Sequence, residues 1–113
     1  MNLQTTSDDG ATIITIHAAR IDASVAIQFK DAMRAATSDP ENRVILDMSA
    51  VDFVDSSGLG AIVAAMKQLG QTTKLELAGL TPDVDKVFRL TRMDRVFDIH
   101  DSVAHAQALR IAG

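Results

Sequence analysis

RVILDMSAVDFVDSSGLGAIVAAMKQLG, Arg43 to Gly70, decides how the chain folds. Val44-Ile45-Leu46, bounded by Arg43 and Asp47, is a short apolar run and reads as a buried central strand. From Leu59 onward the pattern is helical: Leu59, Ile62, Val63, Met66 and Leu69 recur at the spacing of one helix face, and Gly70 stops the run. The segment between them follows the carboxyl end of a strand, which is where α/β sheets build their sites. The first turn of the helix is nevertheless poor in helix formers. Ser56, Ser57, Gly58 and Gly60 stand there, and a glycine in a helix interior costs about 1 kcal/mol relative to alanine. Something other than helix propensity requires them.

Outward from this unit the same two patterns repeat. Ala11 to Ala18 is rich in β-branched residues and reads as a strand, with Asp8-Asp9-Gly10 as a turn and Leu3 to Thr6 as a short antiparallel partner. Ser24 to Ala36 reads as a helix with Val25, Phe29, Ala32, Met33 and Ala36 on one stripe, capped by Asp22 or Ser24. Lys74 to Ala78 alternates as a strand. Thr81-Pro82 is an N-cap followed by proline at the first helical position, opening a helix with Val84, Val87, Phe88 and Thr91 inward. Val96 to Ile99 reads as a short last strand, and Asp101 or Ser102 caps a terminal helix running towards Ile111. The order β-β-α-β-α-β-α-β-α implies parallel βαβ units and, with the first hairpin, a mixed sheet. The expected fold is α/β, a single mixed β-sheet of about four or five strands packed with about four helices, in one domain over residues 1–113.

Composition narrows the function. The 113 residues carry a formal net charge of -4, with no cysteine, tryptophan or tyrosine. Disulfides, thiolate metal sites and cysteine nucleophiles are excluded. Nucleic-acid binding needs a basic patch with interleaved stacking aromatics; no lysine/arginine cluster appears and tyrosine and tryptophan are absent, so that partner is not expected. Met1 to Gln4 lacks the basic and apolar regions of a signal peptide. The longest apolar run, Gly58 to Met66, is far below the ~18 residues of a membrane span. The expectation is a cytoplasmic protein.

Enzyme signatures fail one by one. Asp55-Ser56-Ser57-Gly58 lacks the first glycine of a nucleophile elbow, and Gly58-Leu59-Gly60 lacks the lysine of a phosphate loop. His100 and His105 do not share a helix face, so they make no zinc pair. The expectation is a protein that is no enzyme, with no cofactor and no metal site. A receiver-like phosphoacceptor domain using Asp47 is a remote alternative. It lacks an acidic pair after its first main strand, since Asp8-Asp9 precedes that strand, and Lys74 begins a strand where a lysine would have to follow one.

Two readings of the Asp55 to Ala65 stretch remain. One of Asp55, Ser56 and Ser57 serves as an N-cap. Beyond it, Gly60, Ala61, Ala64 and Ala65 form a low-relief side opposite the apolar stripe, onto which either another protein or a neighbouring part of the same domain packs. A serine at a helix N-terminus also tolerates a phosphate, which meets free amides and the positive end of the helix dipole. Such a phosphate adds about -1.5 to -2 charge.

Leu46-Asp47, followed by Val51-Asp52-Phe53-Val54-Asp55-Ser56-Ser57-Gly58-Leu59-Gly60, resembles the signature of the STAS domain, and within it the stand-alone bacterial anti-sigma factor antagonists. The resemblance covers nearly the whole chain. It implies that the serine directly after the aspartate, Ser56, is phosphorylated by a partner kinase of the histidine-kinase-like ATPase type that is also the anti-sigma factor. It further implies that the unphosphorylated form binds that anti-sigma factor and frees the sigma factor, and that a metal-dependent serine phosphatase resets the switch. The partner-binding residues carried over are Asp22, Asp55, Ser56, Ser57, Gly58, Leu59, Gly60, Ala61 and Ala64. The chain departs from the family at Ala19-Arg20-Ile21-Asp22, where glycine-glutamate-leucine/valine-aspartate is usual: Asp22 matches and Arg20 reverses a charge. Alternatives within the resemblance are a switch with a non-sigma output and a STAS subunit of a lipid transport complex.

Overall fold

The computed structural model describes residues 1–40 and 42–109. Its elements are β1 (Leu3–Asp8), β2 (Ala11–Ile16), β3 (Arg20–Ile21), α1 (Ala26–Ala36), β4 (Arg43–Asp47), β5 (Phe53–Val54), α2 (Ser56–Leu69), β6 (Lys74–Ala78), α3 (Pro82–Leu90), β7 (Asp98–His100) and α4 (Val103–Ala108). The main sheet has the order β1-β2-β4-β6-β7, with β1 antiparallel to β2 and the rest parallel. The expected mixed α/β fold, with five strands and four helices, is the one observed. Asp9 (φ 53°) and Gly10 (φ 81°) both take positive φ, as a two-residue hairpin turn of the primed type requires.

From β2 onward each new parallel strand is laid down beside the last. Right-handed crossovers then put every connecting helix on one face. That face holds the larger core, with Ile14, Ile16, Val44, Leu46, Leu75 and Leu77 from the sheet, Phe29 and Met33 from α1, Ile62 from α2 and Phe88 from α3. Among the described residues α4 connects no pair of parallel strands, so the crossover rule does not bind it, and it covers the other face, with Ala106 packed on Ala11, Ile13, Ile45 and Ala78. Burial on both sides explains why Val44, Ile45 and Leu46 are all apolar and fully buried.

Three expectations need correction, and a fourth is met in part. A second, two-stranded parallel sheet, β3 with β5, went unread because two-residue strands carry no period. The first helix starts at Ala26, with neither Asp22 nor Ser24 as its cap. The Asp22 carboxylate instead accepts from the Ser24 amide (3.1 Å) and hydroxyl (2.6 Å) in a turn before the helix. The last strand runs from Asp98 to His100, since Phe97 turns inward to meet Phe88 edge-on at 6.1 Å. The terminal helix is described to Ala108, capped by Ser102, whose hydroxyl accepts from the His105 amide at 3.0 Å; its expected course towards Ile111 lies outside the described residues. No helix among the described residues is long and apolar enough to cross a membrane.

Under α4, Glu76 sits mid-strand with a buried carboxylate. It accepts from Arg43 Nε at 2.6 Å and Arg43 Nη2 at 2.7 Å, and lies 2.8 Å from His100 Nε2. Arg43 Nη2 also donates to the Ala106 carbonyl at 2.9 Å, tying α4 to the sheet. Burial pushes the Glu76 carboxyl up, but the hydrogen bonds from Arg43 and His100 outweigh it and hold the group below its usual value. A carboxyl whose native pKa is lowered stabilises the fold above its unfolded pKa, and that contribution is lost as pH falls through the native one. Glu76→Gln is therefore expected to cost about 1–2 kcal/mol at pH 7 and to flatten the acid limb of the stability curve. Urea denaturation between neutral and acid pH checks both effects.

Candidate functional site

The β3–β5 ladder leads into the first turn of α2. Ile21 and Val54 are buried, and the backbone between them is tied by bonds from the Asp52 and Phe53 amides to the Ala19 carbonyl at 2.7 and 3.2 Å. Asp55 is the N-cap: its Oδ1 accepts from the Gly58 amide at 2.8 Å, and its Oδ2 accepts from the Ala23 amide at 3.2 Å. One carboxylate thus closes α2 and holds the loop before α1 against it. Neither serine is the cap. Ser56 and Ser57 occupy the first two helical positions, exposed, with amides that lack an intrahelical partner.

The two glycines have different explanations. A Cβ on Gly58 would lie 1.9 Å from the Ile21 carbonyl oxygen and 2.8 Å from its carbon. Gly58 is therefore required by the close approach of β3. A Cβ on Gly60 would meet nothing within 4 Å. Gly60 is exposed, and the fold gives no reason for it. Gly60→Ala is expected to raise stability by about 0.5–1 kcal/mol, read by thermal or urea denaturation. A loss of stability there would mean that the exposed turn is strained in a way its open surroundings do not indicate.

The low-relief side of α2 is smaller than the sequence implied. Ala61 and Ala65 are buried at 3% and 4% exposure, in the core with Phe29 and Met33, because α1 packs against α2 there. Ala61 and Ala65 are thus corrected from surface to interior, and Gly58 is buried beside them. Leu59 and Ala64 are half-buried. The accessible part is Ser56, Ser57 and Gly60, with the Asp22 side chain beside Asp55 through the shared 22–24 turn. The Ser24 hydroxyl, assisted by Arg20, holds the Asp22 carboxyl below its usual value against the opposing push of burial.

Sequence reasoning missed Phe53, which is 39% exposed on the outer side of the ladder. Its signal was its place beside Val54: in a strand whose valine points inward, its neighbour points out. Thr81 stands at the N-cap of α3 as its place before Pro82 implied, but its hydroxyl makes no cap bond and instead donates to the Val51 carbonyl at 2.8 Å, fixing the start of α3 to the loop before β5. Asp47 spends Oδ1 on the Ser49 amide at 3.0 Å, and the described residues hold no cluster of three His, Cys, Asp or Glu able to hold a metal ion. Asp47 is accounted for as a turn former at the end of β4.

Comparison with known proteins agrees with this geometry. The STAS domain family model matches residues 2–106. An anti-sigma-B factor antagonist of Listeria monocytogenes is 31% identical over 83 residues, covering 73% of each chain. The crystal structure of an anti-sigma factor antagonist from Mycobacterium paratuberculosis superposes with a TM-score of 0.83 at 24% identity, over 96% of this chain and 93% of that one. The Bacillus cell fate determinant SpoIIAA in its phosphorylated form shares the fold, with a TM-score of 0.67 at 18% identity over 95% and 97% of the two chains.

Proposed function

The chain belongs to the STAS domain family, and on that premise we propose that it is a phosphorylation-switched binding protein acting through the exposed first turn of α2. In its unphosphorylated form it binds an anti-sigma factor that is also a serine kinase of the histidine-kinase-like ATPase type, and so releases a sigma factor. Phosphorylation of Ser56 ends that binding, and a metal-dependent serine phosphatase restores it. The chain acts by binding and not by catalysis.

The observation that carries this reading is the position of Ser56. It is exposed at the first residue of α2, directly after the Asp55 cap. A kinase reaches its hydroxyl without unfolding the chain, since the hydroxyl makes no hydrogen bond among the described residues. Gly60, one turn further on, adds support, because its helix-weakening backbone has no use inside the chain and leaves room for a partner. The test is direct. Each purified histidine-kinase-like ATPase of the source organism is incubated with the chain and ATP, the phosphopeptide is located by mass spectrometry, and the affinity of the two forms is compared. Phosphate on Ser57 alone, or equal affinity of the two forms, would sink the reading.

A further inference from the structure

We propose that Arg20 and Phe53 form a docking platform that selects a partner presenting a surface carboxylate; this rests on the reading of the α2 turn as the partner face and names the chemistry the partner brings. Arg20 and Phe53 pair directly across the β3–β5 ladder. Their neighbours Ile21 and Val54 point into the core, so both side chains stand together on the outside. The guanidinium lies 4.1 Å from the centre of the Phe53 ring, and its Nε donates to Asp22 Oδ2 at 3.3 Å. Held by these two contacts, it keeps a defined orientation although its side chain is 60% exposed. Its two Nη groups donate to no other described residue.

The free Nη pair is a fork, and the group that fits a planar fork is a carboxylate accepting two parallel hydrogen bonds. The surrounding charges give this pairing selectivity. Asp22, Asp52 and Asp55 are acids, and Arg20 is the sole lysine or arginine within residues 19–29 and 51–66. A partner carboxylate set against Asp22 or Asp52 meets like charge, and the next cations, Lys30 and Arg34, lie away from this turn beside Ala64 and Gln68. At Arg20 it meets a fixed cation, so the pair sets register as well as attraction. The exposed part of Phe53 supplies apolar contact beside the ion pair, as an aromatic anchor does in an interface. The partner surface that fits is an aspartate or glutamate flanked by apolar side chains.

The test uses the ATPase that phosphorylates Ser56, titrated against the unphosphorylated chain. Arg20→Glu is expected to bind about tenfold to a hundredfold more weakly, and Arg20→Lys, which loses the fork, about threefold to tenfold more weakly. The melting temperature should stay within about 3 °C of wild type, as for an exposed charge. Reversing each surface aspartate and glutamate of the ATPase to lysine should reveal one position that weakens wild-type binding and restores binding by Arg20→Glu. Wild-type affinity in Arg20→Glu, with the Ser56 switch intact, overturns the platform and leaves the proposed function standing. So does a sharp fall in melting temperature at unchanged affinity, which would make Arg20 a cover for Phe53. An effect confined to the phosphorylated chain would assign the guanidinium to that chain's own phosphate and overturn the proposal. If wild type is neither phosphorylated nor bound by any such ATPase, the switch fails and the platform fails with it.

Discussion

Replacing Gly58 with alanine should destabilise the chain by about 2–4 kcal/mol, although alanine is the better helix former. Helix propensity alone gives a gain of about 1 kcal/mol. The new methyl carbon, however, would stand 1.9 Å from the Ile21 carbonyl oxygen, and that oxygen belongs to backbone that cannot rotate away. Either α2 or β3 must move. The same carbonyl lies 3.4 Å from the Asp55 amide, and Asp55 itself holds the Gly58 and Ala23 amides. A shift therefore loosens the cap and the ladder together. Overpacking typically costs about 1–3 kcal/mol and occasionally more; a carbon 1.9 Å from a backbone oxygen belongs to the severe end, about 3–5 kcal/mol before the propensity gain of about 1 kcal/mol is subtracted. A loss of this size corresponds to a fall of roughly 8–16 °C in melting temperature. Urea denaturation of Gly58→Ala beside Gly60→Ala is the informative pair, since the two changes are identical in chemistry and opposite in expected sign. A Gly58→Ala chain as stable as wild type would show that β3 yields freely.

Phosphorylation of Ser56 should leave the fold intact and weaken binding to the unmodified-state partner by roughly tenfold to a thousandfold. The fold survives because the phosphate stands at a helix N-terminus, where negative charge is favoured by about 0.3–1 kcal/mol. Asp55 works against this from the adjacent position, but its carboxylate is already engaged by two amides. Binding weakens because a doubly charged group must be desolvated in the contact. Losses at buried polar contacts run to about 2–5 kcal/mol, and each 1.4 is tenfold. Ser56→Asp should show a smaller part of the loss, because it adds one charge. Ser56→Ala should bind normally and resist the kinase. Ser57→Ala serves as the control. Asp55 is the cap, so removing the Ser57 hydroxyl should leave both stability and phosphorylation close to wild type. Calorimetric titration of the phosphorylated and unmodified chains against the ATPase decides the matter; matching affinities would end the switch.

The long elements were legible because period is a local property. Phe29 and Met33 in α1, the Val44 to Leu46 run, and Val84 and Phe88 in α3 all lie where their spacing placed them. The position of Ser56 after an acid at the start of a helix was legible for the same reason. The reading weakened where one residue answers to another far away in the chain. Asp22 looked like a helix cap and is a turn former. Phe53 drew no reading of its own and lies on the outside.

By itself, the sequence determined the order of strands and helices, the parallel βαβ units with an antiparallel first hairpin, and the serine at a helix start. Each follows from periodicity, caps and chain connectivity, which act over a few neighbouring residues. Only the tertiary structure decided what the small residues of α2 are for. Gly58 is small because the Ile21 carbonyl presses on it, Ala61 and Ala65 because α1 packs there, and Gly60 stands open to solvent. All four look alike along the chain. They differ in what stands opposite them, and that is set by the docking of β3 and α1, elements more than 20 residues earlier.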